Sequence, residues 1–361
     1  MSRGMRIWTR TAIALTAFIA GPLVSMASDE VNFEGKTVEI LVNYAAGGGT
    51  DTAARLVAPY IAKHLPGEPN IIVKNRAGAA GNAGIQYLID SVAPDGLVIG
   101  YFSGTKLYIA RDDDRLPERA ADLNYVAARS VNHVLVTGVE TGLSSETLAG
   151  FTDRFFLTAN APDNAQALRM RFLSDAIGAD GFRLVSGYKT QGRMVSAVRA
   201  KEADIAITND SFFGSNRDAI TGDAVVVPLG QMGEFVGGKI VPQTGLEDIP
   251  VFDEIWRKAS PETVGSPAYK SWEAIHMAMA MQHVFALPIG TPEPYQKAWE
   301  SAILAAYSDP DYINQLVEIG VPVPSAVSSD EIAALTTKTT AVFRDHEVRE
   351  AVESAVTKNM E

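Results

Sequence analysis

Three glycines followed by a hydroxyl and a carboxylate, Gly47-Gly48-Gly49-Thr50-Asp51, stand between a run of branched apolar residues and a helix-forming stretch. Residues of these types in that position can hold an anion. The first N–H groups of a helix have no partner within it, and the helix dipole favours negative charge there. Glycine lets the backbone approach a ligand with no β-carbon in the way. A second small-residue loop, Arg76-Ala77-Gly78-Ala79-Ala80-Gly81-Asn82, follows the next branched run and repeats the device. The glycine amides are therefore assigned to a ligand. Asp51 is assigned instead to capping the helix and to pairing with Arg55 one turn on. Arg76, the only arginine in either loop, is expected in a surface or inter-loop salt bridge.

Competing chemistries fail on spacing. Gly47-Gly48-Gly49-Thr50-Asp51-Thr52 lacks the third glycine of a dinucleotide fingerprint. Gly35-Lys36-Thr37 ends like a P-loop, but Glu30 stands where its first glycine belongs, and the segment precedes a strand. Ser103-Gly104-Thr105-Lys106 matches the serine–lysine motif of penicillin-binding enzymes. Its companion motifs are absent, Asn209-Asp210-Ser211 and Lys189-Thr190-Gln191-Gly192 do not fit them, and no Gly-x-Ser-x-Gly elbow occurs. The chain has no cysteine, which excludes thiol nucleophiles, disulfides and cysteine-held metals. Among His64, His133, His276, His283 and His346 no two share the i, i+3 or i+4 spacing that places two imidazoles on one metal, and most are expected at the surface. Neither an enzyme, a metal site nor a cofactor is predicted.

The elements that must position the loops are legible. Val38 to Tyr44 and Asn70 to Asn75 read as buried strands, and Leu97 to Phe102 as a third. Helices fall over Ala53 to Ala62 and Ala83 to Ser91. Strand, small-residue loop and helix, twice over, predict a parallel α/β sheet. The pattern restarts with strands at Val134 to Thr137 and Arg154 to Thr158, a helix over Ala165 to Ile177, and strands at Phe182 to Tyr188 and Asp204 to Thr208. Val225 to Leu229 reads as a strand that returns to the first sheet, and Val284 to Pro288 as a later one.

At the amino end, Arg3, Arg6 and Arg10 precede an apolar run from Thr11 to Val24 and small residues at Ser25-Met26-Ala27. This is the layout of a signal peptide cut after Ala27, with release into the periplasm, and the run is too short for a comfortable membrane span. Residues 28–361 then suggest two domains, with boundaries set at 28–127 plus 232–361 for one lobe and 128–231 for the other. The net charge of -12 excludes nucleic acid and anionic membrane faces as natural partners, so an anion site must win locally.

These residues resemble a known family. Gly35-Lys36-Thr37-Val38-Glu39-Ile40-Leu41-Val42, the Gly47-Gly48-Gly49-Thr50-Asp51 loop with Arg55, Asn75-Arg76-Ala77-Gly78-Ala79 and Pro94-Asp95-Gly96 occur in the order seen in substrate-binding proteins of tripartite tricarboxylate transporters, the Bug or TctC family. Gly187-Tyr188-Lys189 with Ala203-Asp204-Ile205-Ala206, Pro288-Ile289-Gly290-Thr291-Pro292 and Asp309-Pro310 are similar to its later marks. The resemblance implies a type II periplasmic binding protein fold: two lobes, each a mostly parallel sheet flanked by helices, with the ligand cleft between them. It implies a monomer that carries a mono-, di- or tricarboxylate to the integral-membrane subunits of such a transporter. A periplasmic sensor that presents the anion to a signalling receptor would share these features, and a periplasmic hydrolase is the third class considered. Carried over by position, Ala46, Gly48, Gly49 and Thr50 would hold the ligand from the first lobe, with Ala80 nearby and Ser103 on the cleft floor. From the second lobe, the loop from Asn160 to Asn164, Tyr188 and Asn209 would close over it. Two departures fall on the distal grip. Thr190 stands where the family has glycine, and Asn160-Ala161-Pro162-Asp163-Asn164 replaces a glycine-rich serine/threonine loop.

Overall fold

Branched residues at Thr37, Val38, Ile40 and Val42 make β1 (Thr37–Val42), the strand around which the first sheet is built. It pairs in parallel with β2 (Asn70–Asn75) along its whole length and with β3 (Val98–Ser103) on its other side. The computed structural model describes Met1 and residues 31–111, 116–159, 162–188 and 190–360; the leader and the cut after Ala27 lie outside the described residues. Three further strands complete this sheet in the order β13-β4-β12-β3-β1-β2: β4 (Asn124–Arg129), β12 (His283–Leu287) and β13 (Ala326–Ser328). The second sheet, ordered β7-β6-β8-β5-β9, contains β5 (His133–Gly138), β6 (Phe155–Thr158), β7 (Phe182–Val185), β8 (Ile205–Asn209) and β9 (Val226–Gln231). A hairpin of β10 (Glu234–Val236) and β11 (Lys239–Val241) follows.

The α/β class holds, and both sheets are mixed. Between strands among the described residues, parallel pairing is confined to β1 with β2 and β3, and to β6 with β7 and β8. The reason lies in the links. A parallel connection needs a crossover of a dozen or more residues. Only Ser130-Val131-Asn132 separate β4 from β5, so the chain passes straight from one sheet to the other. β4 then runs antiparallel to β12 and β13, and β5 antiparallel to β8 and β9. β9 corrects one expectation: it pairs with β5 in the second sheet instead of returning to the first. Its branched run marks it as a strand but carries no information about its partner.

Helices cover the sheets. α1 (Gly49–His64) and α2 (Asn82–Ser91) fill the first two crossovers. α3 (Thr105–Ala110) follows β3. In the second half lie α4 (Ala165–Ile177), α5 (Gln191–Arg199), α6 (Asp210–Ser215) and α7 (Arg217–Thr221). The carboxyl-terminal third adds α8 (Phe252–Ala259), α9 (Pro267–Met279), α10 (Glu293–Tyr307), α11 (Pro310–Glu318), α12 (Ser329–Arg344) and α13 (His346–Met360). Val38, Ile40 and Val42 of β1 pack with Ala54, Val57 and Ile61 of α1 and with Trp299 and Ile303 of α10. Truncating a buried tryptophan such as Trp299 costs about 3–5 kcal/mol. The second sheet shares its core with Leu168, Phe172 and Leu173 of α4, Trp256 of α8, Trp272 of α9 and Val352 of α13. Among the described residues no helix is long and apolar enough to cross a membrane.

Candidate ligand-binding site

The two small-residue loops lie side by side because β1 and β2 end in register, Val42 opposite Asn75. Gly47 has φ +76°, a left-handed turn that glycine adopts at little cost, and it aims the chain into α1. Gly48 precedes the helix in extended conformation, and no side chain caps the N-terminus behind it. Ala46, Gly48 and Gly49 are exposed and Thr50 is half-buried, so the first turn faces outward with its amides. Asp51 turns the other way and is buried. Its carboxylate accepts from the Gly47 amide at 2.8 Å, from Arg55 Nε at 3.0 Å and from Asn75 Nδ2 at 2.9 Å. Burial acts to raise this carboxyl, and the bonds from Arg55, Gly47 and Asn75 outweigh it, leaving its pKa below the ordinary value. Asp51 pairs with Arg55 as its spacing suggested, but the capping role expected of it is corrected: α1 has no side-chain cap, and the carboxylate turns back to brace the Gly47 loop against Asn75 at the end of β2.

In the second loop Gly78, Ala79, Ala80 and Gly81 have φ of 137°, 48°, 53° and 98° in succession. The left-handed region costs a residue with a β-carbon about 1–2 kcal/mol, so Ala79 and Ala80 are strained. The Tyr44 hydroxyl donates to the Ala80 carbonyl at 3.1 Å and helps hold the turn. A β-carbon on Gly81 would lie 2.6 Å from Asn43 Nδ2, so the glycine makes room for that buried amide. Asn43 Oδ1 accepts from the Ser103 amide at 3.2 Å, while its Nδ2 has no partner. Ser103 is half-buried at the end of β3, and its hydroxyl accepts from Gln282 at 3.1 Å. Asn43 thus links Ser103 to the second loop. It is a site residue that sequence spacing missed, although its place at the carboxyl end of β1 was a usable signal.

The opposite wall comes from the second sheet. A β-carbon on Gly49 would lie 3.1 Å from Asn209 Nδ2, so the glycine loop meets the end of β8 directly. Asn209 Oδ1 accepts from the Phe212 amide at 2.8 Å, and its own amide donates to Gln191 Oε1 at 3.0 Å. Asn164 caps α4 by accepting from the Ala167 amide at 2.8 Å. Tyr188 is half-buried and packs against the cluster that contains Met194 and Phe213. Among the described residues no hydrogen bond joins Asn164 or Tyr188 to either loop. Asn160 lies outside the described residues.

Two expectations are corrected here, those for Arg76 and for the histidines. Arg76 makes no ion pair among the described residues; its guanidinium lies 3.8 Å from the centre of the Tyr87 ring, an attraction available to an exposed arginine beside an aromatic face. His133, His276 and His283 are buried, not at the surface. Each sits where two or more elements converge, a coincidence that local periodicity does not reveal. Their imidazoles are kept neutral by burial first, with nearby arginines adding to the effect. The Ser103–Lys106 motif also comes apart as chemistry, since the Lys106 amine lies 3.4 Å from the centre of the Tyr125 ring while Ser103 bonds Gln282.

Burial pushes Lys106 down from 10.5 to about 7. Below that pH the folded chain carries the full penalty of a buried charge. Above it the folded amine releases its proton while the unfolded chain keeps one, so stability rises with pH between about 7 and the ordinary lysine range. Lys106→Met is expected to stabilise the protein by on the order of 2 kcal/mol at pH 6, part of the penalty being offset by the tyrosine ring. The advantage should fade toward pH 10 in urea unfolding. A gain that does not change with pH would assign it to packing instead.

Sequence reasoning also missed a buried polar seam between the sheets. Arg129, at the end of β4, reaches both carboxylate oxygens of Asp210, the first residue of α6, at 3.3 Å. Among the described residues no group of three or more His, Asp or Glu is placed to hold a metal ion.

No family model matches the chain. A UPF0065 protein of Agrobacterium vitis, from the TAR-I ttuE-ttuC' intergenic region, is 26% identical over 336 residues, covering 91% of this chain and 86% of that protein. Among solved structures, an R. palustris protein with adipate superposes with a TM-score of 0.62 at 20% identity, covering 88% of this chain and 97% of that one. A TctC solute-binding protein from Polaromonas, solved without ligand, gives 0.60 at 16% identity, covering 88% and 100%. The fold of this chain is that of the TctC solute-binding proteins, the family its motifs resemble.

Proposed function

We propose that the chain is an exported solute-binding receptor, not an enzyme, that captures a small organic carboxylate and delivers it to the membrane subunits of a tripartite tricarboxylate transporter. The reading places it in the periplasm as a monomer after removal of residues 1–27, with lobes dividing at 128–231. One observation carries it: the uncapped N-terminus of α1, faced by glycines, meets Asn209 at the end of a strand of the other sheet. Helix amides favour an anion, and Asn209 Nδ2 adds a donor from the opposite side. Ala46, Gly48, Gly49 and Thr50 supply the first grip, with Ala80 and Ser103 at the neighbouring strand ends. Asn164 and Tyr188 belong to the closing side. The adipate in the R. palustris neighbour supports a carboxylate as the ligand class.

The test is titration calorimetry with a panel of mono-, di- and tricarboxylates that includes adipate. At least one is expected to bind with a dissociation constant on the order of micromolar, about 8 kcal/mol. EDTA is expected to leave that affinity unchanged, because amides and not oxygen cages make the site. Turnover of esters or amides with no carboxylate binding would sink the reading.

A further inference from the structure

Arg169 sits in the second turn of α4, fully buried. Its Nε donates to the Ala165 carbonyl at 3.3 Å, which folds the guanidinium back toward the first turn of the helix. Its Nη2 lies 3.1 Å from His133 Nδ1, and its Nη1 has no partner at all. Among the described residues no carboxylate pairs with it. This is unusual chemistry. A buried cation is ordinarily paired with an anion, because its desolvation is otherwise uncompensated. Burial lowers Arg169 to about 9, which still leaves it charged at neutral pH.

The surroundings are arranged around that charge. Arginine can only donate, so His133 Nδ1 accepts and its Nε2 carries the ring proton. The Gln166 amide nitrogen lies 2.7 Å from that Nε2, so Gln166 accepts the proton with its amide turned to bring the oxygen to the ring. His133 stays neutral because burial, the Arg169 charge and His276 all oppose its protonation. His133 is also the register partner of Asn209 across β5 and β8. A short chain of neighbours therefore runs from Gly49 to Asn209, then to His133, Gln166 and Arg169.

We propose that Arg169, oriented by His133 and flanked by Gln166, is the charged subsite for a second carboxylate of the ligand, so that the receptor selects dianions over monoanions. The α1 amides take one end of the ligand and the guanidinium supplies the counter-charge for the other. This rests on the carboxylate-receptor reading and specifies its substrate class. Arg169 is closed off in the arrangement seen, so the carboxylate reaches it when the sheets part.

The experiment compares wild type, Arg169→Met and Arg169→Lys by titration calorimetry against succinate, adipate and hexanoate, the last matching adipate in length with one carboxylate fewer. Wild type is expected to prefer its best dianion over hexanoate by about tenfold or more, the scale of one charge-assisted hydrogen bond. Arg169→Met should reduce that preference to within about threefold, and Arg169→Lys should keep part of it. Thermal unfolding supplies the second readout. A guanidinium that serves only the fold would lower the melting temperature when removed, whereas one awaiting an anion leaves it unchanged or raised in the ligand-free protein. Retention of the dianion preference in Arg169→Met overturns the proposal while the receptor reading stands, as does a wild type that binds hexanoate as tightly as adipate. A wild type that binds none of the three and no other carboxylate in the wider panel removes both.

Discussion

Asp210→Asn is expected to destabilise the protein by about 3–5 kcal/mol, the cost of leaving one partner of a buried ion pair without the other. Asp210 and Arg129 are 1% and 3% exposed, so water cannot take the place of either. The carboxylate accepts from Arg129, from Gln243 Nε2 at 3.1 Å, from the Asn132 amide at 3.4 Å and from the Ser211 amide at 2.7 Å. These donors come from the end of β4, the three-residue link into β5, the segment after the hairpin, and α6. The bond set spans both sheets at the point where the chain crosses between them. Burial opposes the Arg129 charge most, and Asp210 together with Tyr101, Tyr307 and Tyr312 more than offsets it, so the guanidinium pKa ends above its ordinary value. Asparagine keeps the shape but turns one acceptor into a donor that faces other donors. By contrast, water screens the exposed pair Lys297–Glu293, and breaking it should cost far less than breaking the buried one. Urea unfolding at pH 7 with an unchanged slope would measure the loss. The double variant Arg129→Met with Asp210→Leu should recover most of it, because no buried charge then remains. A loss below about 1 kcal/mol in Asp210→Asn would show that the seam does not hold the sheets together.

The same seam shows what was legible in the sequence and what was not. β2 and α4 are read at their observed bounds because each carries its own pattern: a run of branched residues in one, helix formers closed by Gly178 in the other. The anion loop is legible for a related reason, since glycines between a strand and a helix fix a local conformation. β4 is not. Asn124-Tyr125-Val126-Ala127-Ala128-Arg129 has one branched residue, and it becomes a strand because β12 and β13 flank it. Arg169 escapes notice for a sharper reason. Between Leu168 and Met170 it reads as the polar face of a helix, but α4 is buried nearly all round, by α8, α9 and α13 as well as the sheet. Its partner His133 is distant in sequence, and no local period places the two together. Ligand loops are written in neighbours along the chain, whereas buried ion pairs and lone buried charges are written in neighbours across it.

Gly49→Val is expected to weaken carboxylate binding by about a hundredfold or more, ~2.7 kcal/mol, while leaving the protein folded. The position separates binding from folding better than its neighbour. A β-carbon on Gly48 would meet the Ala45 carbonyl at 3.2 Å, within the loop's own turn, so a loss there would mix strain with occlusion. At Gly49 the nearest atom is Asn209 Nδ2 at 3.1 Å, on the other sheet. Gly49 begins α1 and carries no positive φ, so valine fits the backbone with no loss of helix propensity relative to glycine. Its methyls fill the gap where the α1 amides face Asn209, so the ligand loses both its donors and its space. Arg76→Gln is the matched control. Its guanidinium stacks on Tyr87 and is exposed, so losing it removes about 0.5–1 kcal/mol of local attraction and leaves affinity within about fivefold. Calorimetry on both variants, with circular dichroism confirming the fold, compares the backbone grip with a side-chain charge at the same loops. If Arg76→Gln abolishes binding and Gly49→Val does not, the α1 amides are not what holds the anion.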